Sequence, residues 1–185
     1  MMLANAAAMN YGFAYRLAVY ANLRRFVSES LGVRGTRLVV DSPHDTLYEE
    51  EIGQAPALVH RYKVSRAYPP SRMPDHPVFR ITGQPVLLPG MNRTSSYLCV
   101  ADEGASESLY STSHGTGSVI SDFEARGLSG PDPRRRTTLR YSYSDAAPVE
   151  VPHLDDRGID HALQILVRNG IVRPVVRLRP LAGLT

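Results

Sequence analysis

Apolar residues recur every three or four positions near the start of the chain, which is the spacing of one helix face. The members of this stripe are Met9, Phe13, Leu17, Tyr20, Leu23 and Val27. A repeat close to 3.6 residues places all of them on one side of a helix. We expect this helix to run from about Leu3 to Ser30 and to stop at Gly32.

Short alternating or β-branched runs along the rest of the chain predict strands. These runs are 37–41, 58–65, 85–88, 96–101, 108–112, 137–144 and 172–179. Cys99 lies inside the alternating run 97–100, so we expect a buried strand thiol rather than a reactive one. Many strands with few helices favour a mixed α+β architecture over a regular βαβ alternation.

The same patterns predict helical structure for two charged segments. Residues 156–169 predict a second main helix, with Asp155 or Asp156 as its N-cap and Gly170 as its stop. Three consecutive glutamates, Glu49 to Glu51, are interpreted as a solvated helical face. The chain has no internal repeat and no convincing linker, so we expect a single domain over residues 1–185.

Composition narrows the class of protein. The 185 residues are 43% hydrophobic and 21% charged, which is typical of a globular chain. A single cysteine excludes an internal disulfide and fits a reducing compartment. No apolar run is long enough to cross a bilayer, and no signal peptide is evident, so a cytoplasmic location without membrane contact is expected. The net charge of +3 is too small to indicate a nucleic-acid partner by itself.

Candidate chemistry is concentrated in residues 113–118, Ser-His-Gly-Thr-Gly-Ser, which place His114 beside two glycines. Glycine can adopt positive φ and lets a backbone approach a phosphate closely. An imidazole at such a loop can attack the phosphate and form a phosphoramidate. A tight turn carrying a surface histidine is the alternative interpretation of this motif alone.

Other segments accompany this motif: the helix 8–16, the dipeptide His44-Asp45, the loop 83–97 and the ending 177–182. Together they resemble the RtcB family, RNA ligases that join 3′-phosphate and 5′-hydroxyl ends. Five motifs in the family's order extend from about residue 8 to 184. The resemblance implies the C-terminal half of that α+β fold, with mixed sheets and a long N-terminal helix. The half that carries four further metal-site side chains is not represented.

The resemblance also implies roles for individual residues. His114 corresponds to the nucleophile that takes GMP from GTP, and His44 to a ligand of Mn²⁺. Asp45 replaces the family asparagine and is expected either to add an oxygen ligand or to cap the segment after it. The residues expected at the guanosine nucleotide are Asp45, Pro89, Gly90, Met91, Asn92, Ser96, Gly115, Thr116 and Gly117. Arg61 and Arg66 are expected to contact RNA phosphates, with surface salt bridges as their alternative.

The implied function is GTP- and manganese-dependent RNA ligation, in tRNA splicing or RNA repair. RNA and GTP are then the partners, together with an N-terminal-half RtcB-like protein or a second copy of this chain. Ser118 and Asp122 stand where the family has arginines, and the family's terminal lysine has no counterpart. Two further hypotheses therefore stay open: an inactive RtcB-like pseudoenzyme that acts as a binding or regulatory subunit, and a truncated remnant that barely folds.

Overall fold

The computed structural model describes residues 2–91, 94–128, 138–141, 149–151, 154–180 and 182–184. Contacts within the chain divide it into two compact units, Met1–Tyr62 and Lys63–Thr185. The single domain expected for residues 1–185 stays a prediction.

Helix α1 (Met2–Leu31) opens the first unit and confirms the helix expected from the apolar stripe. It ends at Gly32, whose φ of 65° lies in the left-handed region that glycine tolerates. No residue of α1 is buried. Leu17 and Leu23 remain 51% and 55% exposed, so the stripe does not form a core within this unit.

Strands β1 (Thr46–Ile52) and β2 (Ala55–Arg61) form an antiparallel hairpin in which Thr46 lies opposite Arg61. The helical face expected for Glu49 to Glu51 is therefore wrong. Because side chains alternate along a strand, the middle glutamate, Glu50, turns inward and is buried while its two neighbours are exposed. The strand expected at 37–41 is also wrong, since those residues are neither helix nor strand.

The second unit contains β-strands, α-helices and 3₁₀ turns in a mixed order. In chain order they are β3 (Val64–Arg66), α2 (Phe79–Thr82), β4 (Pro85–Leu88), β5 (Ser96–Ala101), β6 (Ser111–Ser113), α3 (Thr116–Ala125), β7 (Thr138–Tyr141), β8 (Val149–Val151), α4 (Arg157–Arg168), β9 (Val172–Leu178) and β10 (Ala182–Leu184), with 3₁₀ turns at Pro70–Arg72 and Glu103–Ser108. The arrangement confirms the α+β class.

The described residues of this unit form three small sheets. The sheet that carries the core has the order β4-β5-β9 and is antiparallel throughout. Strands β3 and β6 pair antiparallel, with Ser65 opposite Thr112. Strand β7 pairs antiparallel with β8 and parallel with β10. The strands expected at 85–88, 96–101 and 172–179 are confirmed, and the one expected at 137–144 extends over 138–141 within the described residues.

The core forms where the β4-β5-β9 sheet meets α3 and α4. Its buried apolar residues include Val86, Leu88, Tyr97, Cys99, Ala101, Ile120, Ile159, Leu166 and Val172. Cys99 is fully buried, as the alternating pattern predicted. Burial raises the pKa of its thiol to about 11, so the thiolate needed for reactivity is disfavoured. Helix α4 agrees with the predicted 156–169 segment, whereas the sequence patterns gave no sign of α3.

Candidate functional site

His114 lies between the end of β6 and the start of α3, so two regular elements fix the backbone on either side of it. The backbone N–H groups of His114 and Gly115 both donate to the carbonyl oxygen of Lys63, at 3.0 and 2.8 Å. Lys63 itself has a φ of 58°, a rare value for a residue with a side chain. Backbone hydrogen bonds therefore hold the predicted nucleophile, which follows β6, against the residue that precedes β3.

The glycines of this motif do not adopt the positive φ that the sequence suggested. Gly115 has a φ of −78°, and Gly117 lies inside α3. A Cβ atom at Gly115 would lie 2.8 Å from the Cβ of Lys63, too close for any side chain. Among the described residues, a Cβ at Gly117 would meet the Met91 sulfur alone, at 3.7 Å. Gly115 is thus required by packing against Lys63, while Gly117 leaves room above the first turn of the helix.

Helix α3 starts directly after His114 and Gly115. Within the described residues no side-chain cap bond is made at its N-cap position, Gly115, and the hydroxyl of Ser118 donates to the carbonyl of Gly115 at 2.9 Å. The first backbone N–H groups of a helix have no partner within it and carry the positive end of its dipole. The expected loop is wrong for residues 116–118, because Gly-Thr-Gly-Ser contains turn-forming residue types that this fold places in a helical first turn. The motif therefore presents His114 at a helix N-terminus.

The segment from Pro89 to Ser96, called here the 89–96 loop, connects β4 to β5 and holds most of the other predicted nucleotide residues. Gly90 N–H donates to the Ser96 hydroxyl at 2.8 Å. Met91 N–H donates to the Thr94 hydroxyl, and Thr94 N–H donates back to the Met91 carbonyl at 3.1 Å. Asn92, also predicted at the nucleotide, lies outside the described residues. These hydrogen bonds connect the described residues of the loop to one another.

The two segments are joined directly. The hydroxyl of Thr116 donates a hydrogen bond to the carbonyl oxygen of Pro89, and Met91 lies against Gly117. The structure thus brings together the predicted residues Pro89, Met91, Thr116 and Gly117. The residue that makes this connection, Thr116, is fully buried.

The sequence patterns missed an acidic pair that faces β5. Asp155 or Asp156 was expected to cap α4. The N–H of Arg157, the first residue of that helix, donates to the Asp155 carboxylate at 3.1 Å, whereas Asp156, at the N-cap position, makes no side-chain cap bond. Its carboxylate instead accepts hydrogen bonds from the N–H and the hydroxyl of Ser95, at 2.7 and 2.8 Å. One turn further, Asp160 accepts from the Tyr97 hydroxyl at 2.5 Å. Burial, assisted by the Asp160 carboxylate, raises the pKa of Tyr97 to about 12.

Three predicted site residues belong to the first unit. His44 Nδ1 lies 3.0 Å from a carboxylate oxygen of Asp45, and both side chains are about half exposed. Among the residues that the structure describes, no group of three or more histidine, cysteine, aspartate or glutamate side chains could hold a metal ion. Arg61, expected at RNA, is instead buried against Glu50. Asp45 precedes a strand rather than a helix, so the helix cap considered for it is wrong.

Arg66, the other residue expected at RNA, is half-buried on β3 in the second unit. Its guanidinium lies over the ring of Tyr68, with 4.6 Å from Cζ to the ring centroid. This cation–π contact places the guanidinium over an aromatic face.

Comparison with known proteins identifies the family. The model described as tRNA-splicing ligase RtcB matches residues 2–184. The tRNA-splicing ligases RtcB of Pyrococcus furiosus and Archaeoglobus fulgidus are both 32% identical to this chain over 95% of it, and the RNA-splicing ligase RtcB of Mycobacterium tuberculosis is 31% identical over 96%. The chain belongs to the RtcB family, as its motifs predicted.

The chain spans 20%, 39% and 43% of the length of these three relatives, respectively. None of the helices in the described ranges is long and apolar enough to cross a membrane.

Proposed function

We propose that this chain carries the nucleotide-transfer part of an RtcB-type RNA ligase, with His114 as the residue that becomes guanylylated. The observation that supports it most is the hydrogen bond from Thr116 to Pro89. This bond holds the 89–96 loop beside the nucleophile motif, so the residues expected at the guanosine and those expected at the phosphates share one neighbourhood.

The chemistry is a sequence of phosphoryl transfers. A ring nitrogen of His114 attacks the α-phosphorus of GTP, the bond to the bridging oxygen of the β-phosphate breaks, and pyrophosphate leaves. The GMP group then passes from His114 to the 3′-phosphate of one RNA end. The 5′-hydroxyl of the other end displaces GMP and forms the 3′,5′-phosphodiester.

Two features of this chain suit the first transfer. The uncapped N-terminus of α3 offers backbone N–H groups and a positive dipole to phosphate oxygens. The negative charge of Asp122, which replaces a family arginine, is paired on the helix surface with Arg126, with 3.0 Å between their nitrogen and oxygen atoms. The positive charge of Arg126 offsets part of the repulsion that the aspartate would exert on a nucleotide. Solvent screens the rest, because both side chains are at least half exposed.

Manganese does not fit the described residues on their own. His44 with Asp45 offers too few ligands, because divalent cations of this kind take about six donors. We therefore derive no step through the ion and treat it as a variable in the experiment. Its remaining ligands, with the rest of the ligase fold, would come from outside these 185 residues, on the same polypeptide, on an N-terminal-half protein or on a second copy.

Contact with RNA is proposed for Arg66, whose guanidinium is oriented by Tyr68. We do not extend it to Arg61, because that side chain is only 1% exposed and faces a carboxylate. The cytoplasmic location and the role in tRNA splicing or RNA repair stay predictions.

The deciding experiment is covalent labelling with GTP that carries radioactive phosphorus at the α-position, with and without Mn²⁺. The chain is tested alone and with the part of the M. tuberculosis relative that this chain does not match. We expect acid-labile label on the wild type and none on His114→Ala, while His60→Ala, which removes an exposed histidine on β2, labels normally. Label that persists in His114→Ala would exclude the nucleophile role.

The same experiment separates ligase from pseudoenzyme. Label that appears only with the added relative would indicate a split active site. A chain that unfolds cooperatively yet takes no label in any condition would favour the binding or regulatory subunit, and loss of cooperative unfolding would favour the remnant.

A further inference from the structure

Asp156 is a buried carboxylate whose hydrogen bonds go to a distant loop rather than to its own helix. Its side chain is fully buried, and its two oxygens accept separately from the N–H and the hydroxyl of Ser95, 61 positions earlier. A guanidinium nitrogen of Arg177 lies 3.9 Å from a carboxylate oxygen of Asp156 and supplies a positive charge beside it. A buried charge is tolerated only with such partners.

Capping of α4 does not account for this carboxylate. The aspartate occupies the N-cap position, yet it makes no side-chain bond to the first turn of that helix. Its two oxygens instead accept from the N–H and the hydroxyl of Ser95, at distances typical of charge-assisted hydrogen bonds. The interaction therefore fixes Ser95 in position and orientation.

Ser95 passes this restraint to the 89–96 loop. It is fully buried between Thr94, which closes the turn on Met91, and Ser96, whose hydroxyl accepts from Gly90. A Cβ atom at Gly90 would clash with the Ser95 carbonyl oxygen, so these two backbones are in direct contact. The opposite end of the loop is held by Thr116 at Pro89. The loop is thus anchored at one end by the His114 motif and at the other by Asp156.

We propose that Asp156 is a positioning residue for the guanine nucleotide: by holding Ser95 it keeps the 89–96 loop in the place where Pro89, Gly90 and Ser96 can contact the nucleotide beside His114. The inference rests on the function proposed above. It concerns where the loop is held, and it assigns no contact between Asp156 and the nucleotide.

The test compares four variants of the full chain. Asp156→Ala removes both bonds, whereas Asp156→Asn keeps an acceptor for the Ser95 N–H and offers a donor to its hydroxyl. Ser95→Ala removes the hydroxyl bond alone. Asp155→Ala is the matched control, because it removes the neighbouring carboxylate, which pairs with Arg157.

The first measurement is independent of activity. Amide hydrogen exchange, followed by mass spectrometry on peptides that cover 89–96, reports how firmly the loop is held. We expect exchange there to accelerate by at least about tenfold in Asp156→Ala, because both charge-assisted hydrogen bonds to Ser95 are lost. Asp156→Asn and Ser95→Ala should show smaller increases and Asp155→Ala none. Unchanged exchange in both Asp156→Ala and Ser95→Ala would overturn the proposal.

The second measurement is the rate of His114 labelling as a function of GTP concentration, under whichever of the conditions above labels the wild type. We expect Asp156→Ala to raise the half-saturating GTP concentration about tenfold, with a smaller effect on the maximal rate, and Asp156→Asn to restore most of the affinity. Equal loss in Asp155→Ala, or no change in half-saturation for Asp156→Ala, would overturn the positioning role. A wild type that takes no label overturns the proposed function, and the exchange measurement still decides whether Asp156 holds the loop.

Discussion

Glu50 and Arg61 form a two-point ion pair that is almost completely shielded from solvent. The two guanidinium nitrogens lie 2.7 and 2.8 Å from the two carboxylate oxygens, and the side chains are only 2% and 1% exposed. The pair joins the two strands of the first unit's hairpin from inside.

Removal of Glu50 should destabilise the first unit strongly. Glu50→Ala leaves a buried guanidinium without this counter-charge, and we expect a loss of about 3–5 kcal/mol in the free energy of unfolding. Glu49→Ala, on the exposed side of the same strand, should change it by less than about 0.5 kcal/mol. Urea unfolding followed by circular dichroism compares the two variants. Equal midpoints for both would show that the ion pair contributes little.

The hairpin also shows where sequence patterns succeed and fail. Three adjacent glutamates look equally solvated, because a sequence does not reveal which of them faces an arginine eleven positions later. Cys99 was predicted correctly because alternation along a strand is a local property that β5 obeys over its whole length. The long helix α1 was likewise predicted from its spacing, but burial depends on what packs against it.

Within the candidate site, the identities of the residues could be predicted while their connections could not. His114, Pro89 and Gly90 were expected from motif resemblance. The bond from Thr116 to Pro89 and the one from Ser95 to Asp156 join positions 27 and 61 residues apart. Such pairings are set by tertiary packing, which overrides the local preference of an aspartate for a helix cap.

Two threonines of the second unit should respond in opposite ways to the same substitution. Thr116→Val removes the hydrogen bond to Pro89, so we expect a loss of about 1 kcal/mol and slower labelling of His114. The Thr112 hydroxyl is buried without a hydrogen-bond partner among the described residues. Thr112→Val should therefore be neutral or stabilise by up to about 1 kcal/mol.

Thermal unfolding and the labelling rate are measured for both valine variants. Retention of full labelling in Thr116→Val would show that the two segments stay together without this bond. A clear loss of stability in Thr112→Val would show that its hydroxyl finds a partner in solution.

The stability of the second unit should decline in alkaline solution. The pKa of Tyr97 is raised from 10.0 to about 12, chiefly by burial, so the folded chain keeps a proton that the unfolded chain releases. The stabilisation is fully present below a pH of about 10 and is lost as the pH rises to about 12. Cys99, with its pKa raised from 9.0 to about 11, adds a similar decline that begins one unit lower.

Urea unfolding across this alkaline range measures the effect. In Tyr97→Phe the decline in stability above a pH of about 10 should become shallower, because the contribution of Tyr97 is removed and that of Cys99 remains. Tyr11→Phe, which removes a phenol that is 73% exposed, should behave as the wild type. An identical slope in Tyr97→Phe and wild type would contradict the assignment.

The two glycines of the nucleophile motif separate stability from function. Gly115→Ala places a Cβ 2.8 Å from the Cβ of Lys63, and the backbone must shift to relieve the contact. We expect a loss of about 1–3 kcal/mol and no labelling of His114. Gly117→Ala replaces a helical glycine, and within the described parts of the chain its Cβ meets the Met91 sulfur alone, so it should stabilise the chain by about 0.5–1 kcal/mol. If a nucleotide lies against the first turn of α3, the same methyl group occupies part of its space, and labelling should fall although stability rises.

Thermal unfolding and labelling are measured on the same samples. Normal labelling in a stabilised Gly117→Ala would place the phosphates away from this turn and leave Gly115 as the one glycine that the motif requires.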